Sequence, residues 1–309
     1  MFIVTGASGH IGNQVCQTLL KQGYEVKVLA RQPLNQFVKQ ALVVSLGDLC
    51  DTAFLSREIQ ASDIVIHAVG YIDLANSNYD QSVTSNLTTV KAITEVCQKK
   101  RARLVYISTA DIIEKEPTGI IEEPVSFKEI HPSDHYGYTK KEATLYVRKA
   151  IKSGLSGVIL YPTAVIGAND LKMGPISSEI KNVLKKRILY SLSGGYNFID
   201  VEDLSKAIIQ SGLLPYNDEF ILSGFNLSIT DLYKRIRNFK KQKKIILHLP
   251  LWVVRMFIGL SKHYSIKMVD VVTENHRFSN MKMKKYLLSE LKPFDLTLAE
   301  TIRFIETKR

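Results

Sequence analysis

Thr5-Gly6-Ala7-Ser8-Gly9-His10-Ile11-Gly12 closes the short apolar run Phe2–Thr5 and opens the amphipathic stretch Asn13–Gln22. Gly6 permits a tight turn, Gly9 lets the backbone approach a pyrophosphate, and Gly12 lets helix and strand pack closely, so the helix N-terminus faces an anion. Ser8, His10 and Ile11 lie in the same loop and complete the expected cradle. Strand, glycines and helix in this order point to dinucleotide binding.

The rest of the chain continues that rhythm. Short apolar, β-rich runs occur at Phe2–Thr5, Tyr24–Ala30, Leu42–Leu46, Asp63–Val69, Arg103–Thr109 and Gly157–Tyr161, with helical patterns such as Gln81–Lys99 and Tyr138–Lys152 between them. Apolar strands alternating with amphipathic helices specify a parallel sheet covered on both faces, a doubly wound Rossmann α/β sheet. After Pro162 come a Gly-containing loop, a helix near Ile176–Arg187 and a strand-like Phe220–Ser223, and helical patterns dominate thereafter. The expected organisation is a nucleotide-binding domain of residues 1–162 and 197–223, with a smaller, mainly helical C-terminal substrate lobe of residues 163–196 and 224–309. Ligands of open α/β sheets lie beyond the carboxyl ends of the strands, so that lobe should close over that edge.

Length and composition exclude several classes. A chain of 309 residues, 45% of them hydrophobic, buries a real core and is not disordered, collagenous or coiled-coil. The apolar stretch Leu247–Leu260 is broken by His248, Pro250, Arg255 and Gly259, which argues against a membrane span. Met1 runs almost directly into the glycine loop, with no signal-like segment, so a cytoplasmic protein is expected. Cys16, Cys50 and Cys97 lack metal or disulfide spacing and read as reduced thiols.

The net charge is +11, and all of the excess lies late: residues 224–309 carry 18 basic and 7 acidic side chains. It clusters at Lys234-Arg235, Arg237, Lys240-Lys241, Lys243-Lys244, Lys282 and Lys284-Lys285. With no nucleic-acid motif or interleaved aromatics, these read as solvated helix faces, so no nucleic-acid partner is expected. A small-molecule substrate is, and a homodimer is compatible with the composition. Pro250–Leu260, with Trp252 and Phe257, reads as ordinary core ahead of a pocket lining, a dimer face or a membrane-surface contact.

The end of the second strand selects the nucleotide. An NAD site usually has Asp or Glu about 20 residues beyond the glycines to hold the ribose. Here the strand runs Val26-Lys27-Val28-Leu29-Ala30-Arg31 with no acid. Arg31 can meet a 2′-phosphate with a charge-assisted fork, so NADP is favoured over NAD. Asp48, in Gly47-Asp48-Leu49, suits an adenine amino group or a helix cap.

Tyr136 and Lys140 stand four apart in His135-Tyr136-Gly137-Tyr138-Thr139-Lys140-Lys141, on one helix face. An ammonium beside a phenol lowers the tyrosine pKa towards the range useful for proton transfer. The strand before them ends in Ser108-Thr109, where a hydroxyl reaches the ligand edge. His131 and His135, spaced i, i+4, sit in a Pro-containing loop without an accompanying Glu, and no metal site is expected. Tyr71, Met173 and Tyr196, in loops, are candidate pocket-lining residues.

Glycine loop, strand-end hydroxyl, tyrosine and lysine in this order resemble the extended short-chain dehydrogenase/reductase superfamily, of the NAD-dependent epimerase/dehydratase type, and its dihydroflavonol-reductase-like branch. The resemblance extends through Gly47-Asp48-Leu49, His67-Ala68-Val69-Gly70, Asn86, Thr109, Pro162-Thr163, Phe198–Leu204 and Ser289–Ile305. It implies a catalytic triad of Thr109, Tyr136 and Lys140, with Asp48 and Leu49 in the cofactor site and Ala68 and Pro162 beside the nicotinamide. Asn86 would support the site from behind, and Tyr161 departs from the arginine often found before that proline. Dehydratases of the superfamily follow the threonine with an Asp-Glu pair, here Ala110-Asp111, and its sugar epimerases favour an acidic end of strand two. NADPH-dependent reduction of an aldehyde or ketone is therefore the leading expectation. The alternatives are a nucleotide-sugar epimerase and a non-catalytic NADP-binding redox sensor, although such sensors tend to lose the tyrosine or lysine.

Overall fold

The computed structural model describes residues 1–34, 42–73, 75–123, 126–241, 243–257 and 266–308. Its strands are β1 (Phe2–Thr5), β2 (Val26–Ala30), β3 (Val43–Leu46), β4 (Ile64–His67), β5 (Arg103–Ile107), β6 (Gly157–Pro162), β7 (Ala164–Ile166), β8 (Ile188–Ser191), β9 (Gly195–Asp200), β10 (Asp218–Leu222), β11 (Phe225–Ser228) and β12 (Ile245–His248). Seven of them form one sheet in the order β10-β6-β5-β4-β1-β2-β3, and every pairing is parallel. This is the doubly wound sheet that the strand and helix alternation predicts. The order reverses at β1, where the neighbours are β2 and β4. There the helices leave opposite faces and a crevice opens at the carboxyl ends.

Alternate residues of each central strand feed two apolar layers. Ile3, Leu29, Val65, Leu104 and Ile159 join one, whereas Phe2, Val4, Val28, Ile66, Val105 and Val158 join the other. Burial of both faces explains why the strands read as unbroken apolar runs.

A third apolar cluster, including Ile166, Ile180, Leu189, Phe198, Ile236, Phe294 and Ile302, lies among the later elements. The later part is mainly helical, as expected, and it also carries short strands: β7, β9 and β11 form a three-stranded sheet, and β8 and β12 a two-stranded one. These strands are three to six residues long, too short for a clear alternation. The helix expected at Ile176–Arg187 is Pro175–Lys185, with proline in its first turn. Lys244, expected on a solvated face, is buried. Its ammonium donates to the carbonyls of Val183 (2.8 Å), Leu184 (3.0 Å) and Lys186 (2.6 Å), closing that helix at its C-terminus. Helix Leu251–Phe257 contains no buried residue, and its Trp252 and Phe257 are exposed. That overturns the core reading for the described part of Pro250–Leu260, while residues 258–260 lie outside the described residues.

Candidate active site

The glycine loop has the predicted form. Gly6 has φ +78°, and a Cβ on it would stand 2.6 Å from the carbonyl carbon and oxygen of Ala68. A Cβ on Gly12 would stand 2.3 Å from the Gly6 oxygen, so strand and helix approach to a distance only glycine allows. The Gly9 amide donates to the Gly6 oxygen at 2.9 Å, and helix His10–Lys21 begins at once. This leaves bare amides at a helix N-terminus, as a pyrophosphate requires.

A loop after β7 lies over this cradle, which the sequence pattern did not reveal. His10 donates from Nε2 to the Ala168 oxygen at 2.8 Å, with burial, the leading effect, pulling its pKa down. Lys172 donates to the Ser8 hydroxyl at 3.2 Å. Lys172 thus places a cation beside the phosphate loop from 164 residues away, a separation at which no local signal exists.

Arg31 follows β2 directly and is exposed. Across the edge, the Asp48 carboxylate accepts from the Cys50 amide at 2.9 Å. The helix cap considered for Asp48 belongs to Asp51, which accepts from Ala53 ahead of helix Thr52–Glu58. Leu49 is buried, Ala68 follows β4 and packs against Gly6, and Pro162 ends β6 paired with Leu222. Tyr161 fills the place of the expected arginine, donating its buried hydroxyl to Glu219 at 2.6 Å beside Arg148.

Thr109 follows β5, its hydroxyl accepting from the Asp111 amide at 3.2 Å and donating to the Asp111 carboxylate at 3.3 Å. The preceding Ser108 turns away, sharing a 2.7 Å hydrogen bond with Thr144. Helix His135–Lys152 is capped by Asp134, which accepts from the Gly137 amide at 3.1 Å. Tyr136 and Lys140 leave this helix one turn apart. Burial, then the charge of Asp111, pushes the Tyr136 phenol upward, and the neighbouring Thr109 hydroxyl works the other way. Lys140 is buried and burial lowers its pKa to about 7. The expected lowering of the tyrosine pKa by Lys140 is therefore not what governs this arrangement; the phenol stays protonated at neutral pH.

The surroundings fix these groups. Helices Tyr79–Val83 and Thr89–Lys100 are joined by a π-helical turn, Thr84–Thr88, that replaces the single regular helix expected at Gln81–Lys99. The turn holds Asn86, whose side chain donates to the Tyr71 carbonyl (3.0 Å) and Thr139 hydroxyl (3.1 Å) and accepts from the Tyr71 amide (2.7 Å). His67, closing β4, shares a 2.8 Å hydrogen bond with Thr5; burial lowers its pKa to about 3. The histidines spaced i, i+4 part company: His135 donates to Asp73 at 3.0 Å, and His131 faces Ser133 at 2.9 Å. Tyr196, expected in a loop, lies in β9, its ring 5.1 Å from that of His276.

The sequence model of the NAD dependent epimerase/dehydratase family matches residues 2–212. Over 333 aligned positions the chain is 24% identical to short-chain dehydrogenase/reductase family 42E member 1 of Danio rerio, covering 96% of this chain and 86% of that protein. It is 25% identical to the bifunctional dihydroflavonol 4-reductase/flavanone 4-reductase of Pyrus communis, covering 76% and 75% respectively. Among solved structures, UDP-glucuronic acid 4-epimerase from Bacillus cereus in complex with NAD aligns with TM-score 0.78 at 18% identity, over 99% of both chains. That likeness is one of fold.

Proposed function

The chain belongs to the NAD-dependent epimerase/dehydratase family, and from that premise we propose that it reduces an aldehyde or ketone at the expense of NADPH, with Thr109, Tyr136 and Lys140 as its catalytic groups. The single observation that carries this reading is the exposed Arg31 at the end of β2, where a carboxylate for NAD would otherwise stand. A guanidinium there pairs with a 2′-phosphate, and NADP chemistry is ordinarily that of net reduction. The residue after Thr109 supports it: Ala110-Asp111 lacks the acid pair that elimination of water demands.

Gly6, Ser8, Gly9, His10, Ile11 and Gly12 would hold the pyrophosphate, Asp48 and Leu49 the adenine end, and Ala68 and Pro162 the nicotinamide end. When bound, the cofactor supplies hydride to the carbonyl carbon. Tyr136, held as a neutral phenol, donates its proton to the carbonyl oxygen as negative charge develops there. Thr109 donates a hydrogen bond to the same oxygen, and Lys140 orients the ribose. Asn86 keeps the helix that carries Tyr136 in register with the Tyr71 loop. We assign cofactor binding to residues 1–162 and 197–223 and substrate binding to 163–196 and 224–309. The third apolar cluster supports this division, although Phe198 of β9 packs into it.

The test follows NADPH absorbance and product identity with aldehydes, ketones and diketones, and in parallel with nucleotide sugars. Stoichiometric NADPH consumption with alcohol formation is expected. Epimerised sugar without net consumption would replace the reductase by the epimerase, and tight NADP binding with no turnover of any carbonyl would replace it by a sensor.

A further inference from the structure

β8 and β12 pair in parallel, Ile188 with Ile245 and Tyr190 with Leu247. Partners across a ladder share a face. All four are exposed, at 45%, 58%, 60% and 43% respectively, while Leu189 and Ser191 beneath are buried. Two residues beyond β12, helix Leu251–Phe257 adds exposed Trp252, Met256 and Phe257. Four large apolar side chains on one ladder face, with three more exposed in the helix that follows, exceed the scattered exposure ordinary for a folded chain.

Its borders are basic. Segments 185–191 and 240–257 contain eight Lys and Arg and no Asp or Glu. Lys244 is spent on helix carbonyls, Lys240 pairs with Glu306 at 2.7 Å and Arg255 with Asp270 at 2.8 Å. Lys185, Arg187, Lys241 and Lys243 are exposed, and Arg187 and Lys243 lie where the two strands enter the ladder.

We propose that this face docks the protein on an anionic lipid bilayer, with Tyr190, Leu247 and Trp252 in the headgroup layer and Arg187, Lys241 and Lys243 against lipid phosphates and carboxylates. Apolar groups bordered by cations are the composition that an acidic membrane surface attracts. A second copy is the weaker fit, because a two-fold contact would set the same cations against each other. No helix among the described residues is long and apolar enough to cross a membrane, and the proposed contact is one of surface insertion.

Trp252 is the only tryptophan in the chain, which makes the site its own probe. The full chain is mixed with vesicles of phosphatidylcholine alone, or of roughly two parts phosphatidylcholine to one of phosphatidylserine. With the acidic vesicles, co-sedimentation and a blue shift of Trp252 emission are expected, both reversed by high salt. Arg187→Gln/Lys241→Gln/Lys243→Gln should lower partitioning on the order of a hundredfold, at roughly fivefold per cation. Tyr190→Ser/Leu247→Ser should lower it by at least ~10-fold through lost apolar insertion, with melting of the free protein unchanged because both sites are exposed. The proposal is overturned if acidic vesicles neither sediment the protein nor shift Trp252, if neutral vesicles do so equally, or if either variant partitions like the parent. It is equally overturned if the parent self-associates in ultracentrifugation and Tyr190→Ser/Leu247→Ser abolishes that association.

Discussion

Lys140 donates a 2.6 Å hydrogen bond from Nζ to the carbonyl oxygen of Ile107, the last residue of β5. The same nitrogen stands 4.9 Å from the centroid of the Tyr106 ring. Helix and strand are thereby joined at the carboxyl edge of the sheet, one turn from Tyr136. Burial favours the uncharged amine and brings its pKa from 10.5 to about 7. Between those values the unfolded chain keeps a proton that the native state has released. The unfolded state binds more protons, so this lysine makes stability rise with pH through that window.

Lys140→Met should remove that slope, up to about 1.4 kcal/mol per pH unit. Thermal melts of both proteins between about pH 7 and 9 test it. Above that range the buried thiols of Cys16 and Cys97, raised by burial to about 12, act in the opposite sense. Parallel curves for parent and variant would remove the assignment.

Tyr136→Phe keeps the ring and deletes the proposed proton donor. Turnover should fall by about 10²- to 10⁴-fold, with NADP affinity nearly unchanged, as read by steady-state rates and nucleotide titration. Undiminished turnover would refute the role.

Arg31→Ala should weaken NADP(H) by roughly 10- to 100-fold, the worth of a charged hydrogen-bonding pair, and leave NAD(H) alone. Calorimetric titration with both nucleotides decides it. Equal losses, or tighter NAD(H) binding by the unmodified protein, would end the NADP assignment.

Gly12→Ala sets a methyl against the Gly6 oxygen, where a Cβ would come within 2.3 Å. Strand and helix must part, at a cost of about 1–3 kcal/mol, and nucleotide binding should be lost. A variant that melts and binds like the parent would contradict the close approach.

His67→Gln probes the acid side. With the His67 pKa lowered from 6.5 to about 3, the unfolded chain takes up a proton below pH 6.5 that the native state refuses. Stability contributed by the neutral imidazole is present above that value and falls away as the pH drops towards 3. The variant should lose stability less steeply with acid than the parent; equal steepness would count against this.

The features legible in the sequence are those whose causes are local. Gly6 and Gly12 betray the glycine turn because no other residue tolerates the backbone approach there. The strands read as apolar runs because a parallel sheet buries both faces, and Tyr136 and Lys140 share a helix face because 3.6 residues make a turn. Groups that act through distant partners left no such trace. Lys172 at Ser8, Tyr161 on Glu219 and the ammonium of Lys244 on helix carbonyls each depend on chain folded back from elsewhere. So does the outward face of Ile188, Tyr190, Ile245 and Leu247: alternation tells which side chains lie together, and only the packing of the whole chain decides which side is covered. The elements and the order of chemistry at the sheet edge were thus determined by short-range sterics and periodicity, whereas burial, which sets the protonation of Lys140, Tyr136 and His67, was decided by tertiary structure because desolvation depends on every neighbour at once.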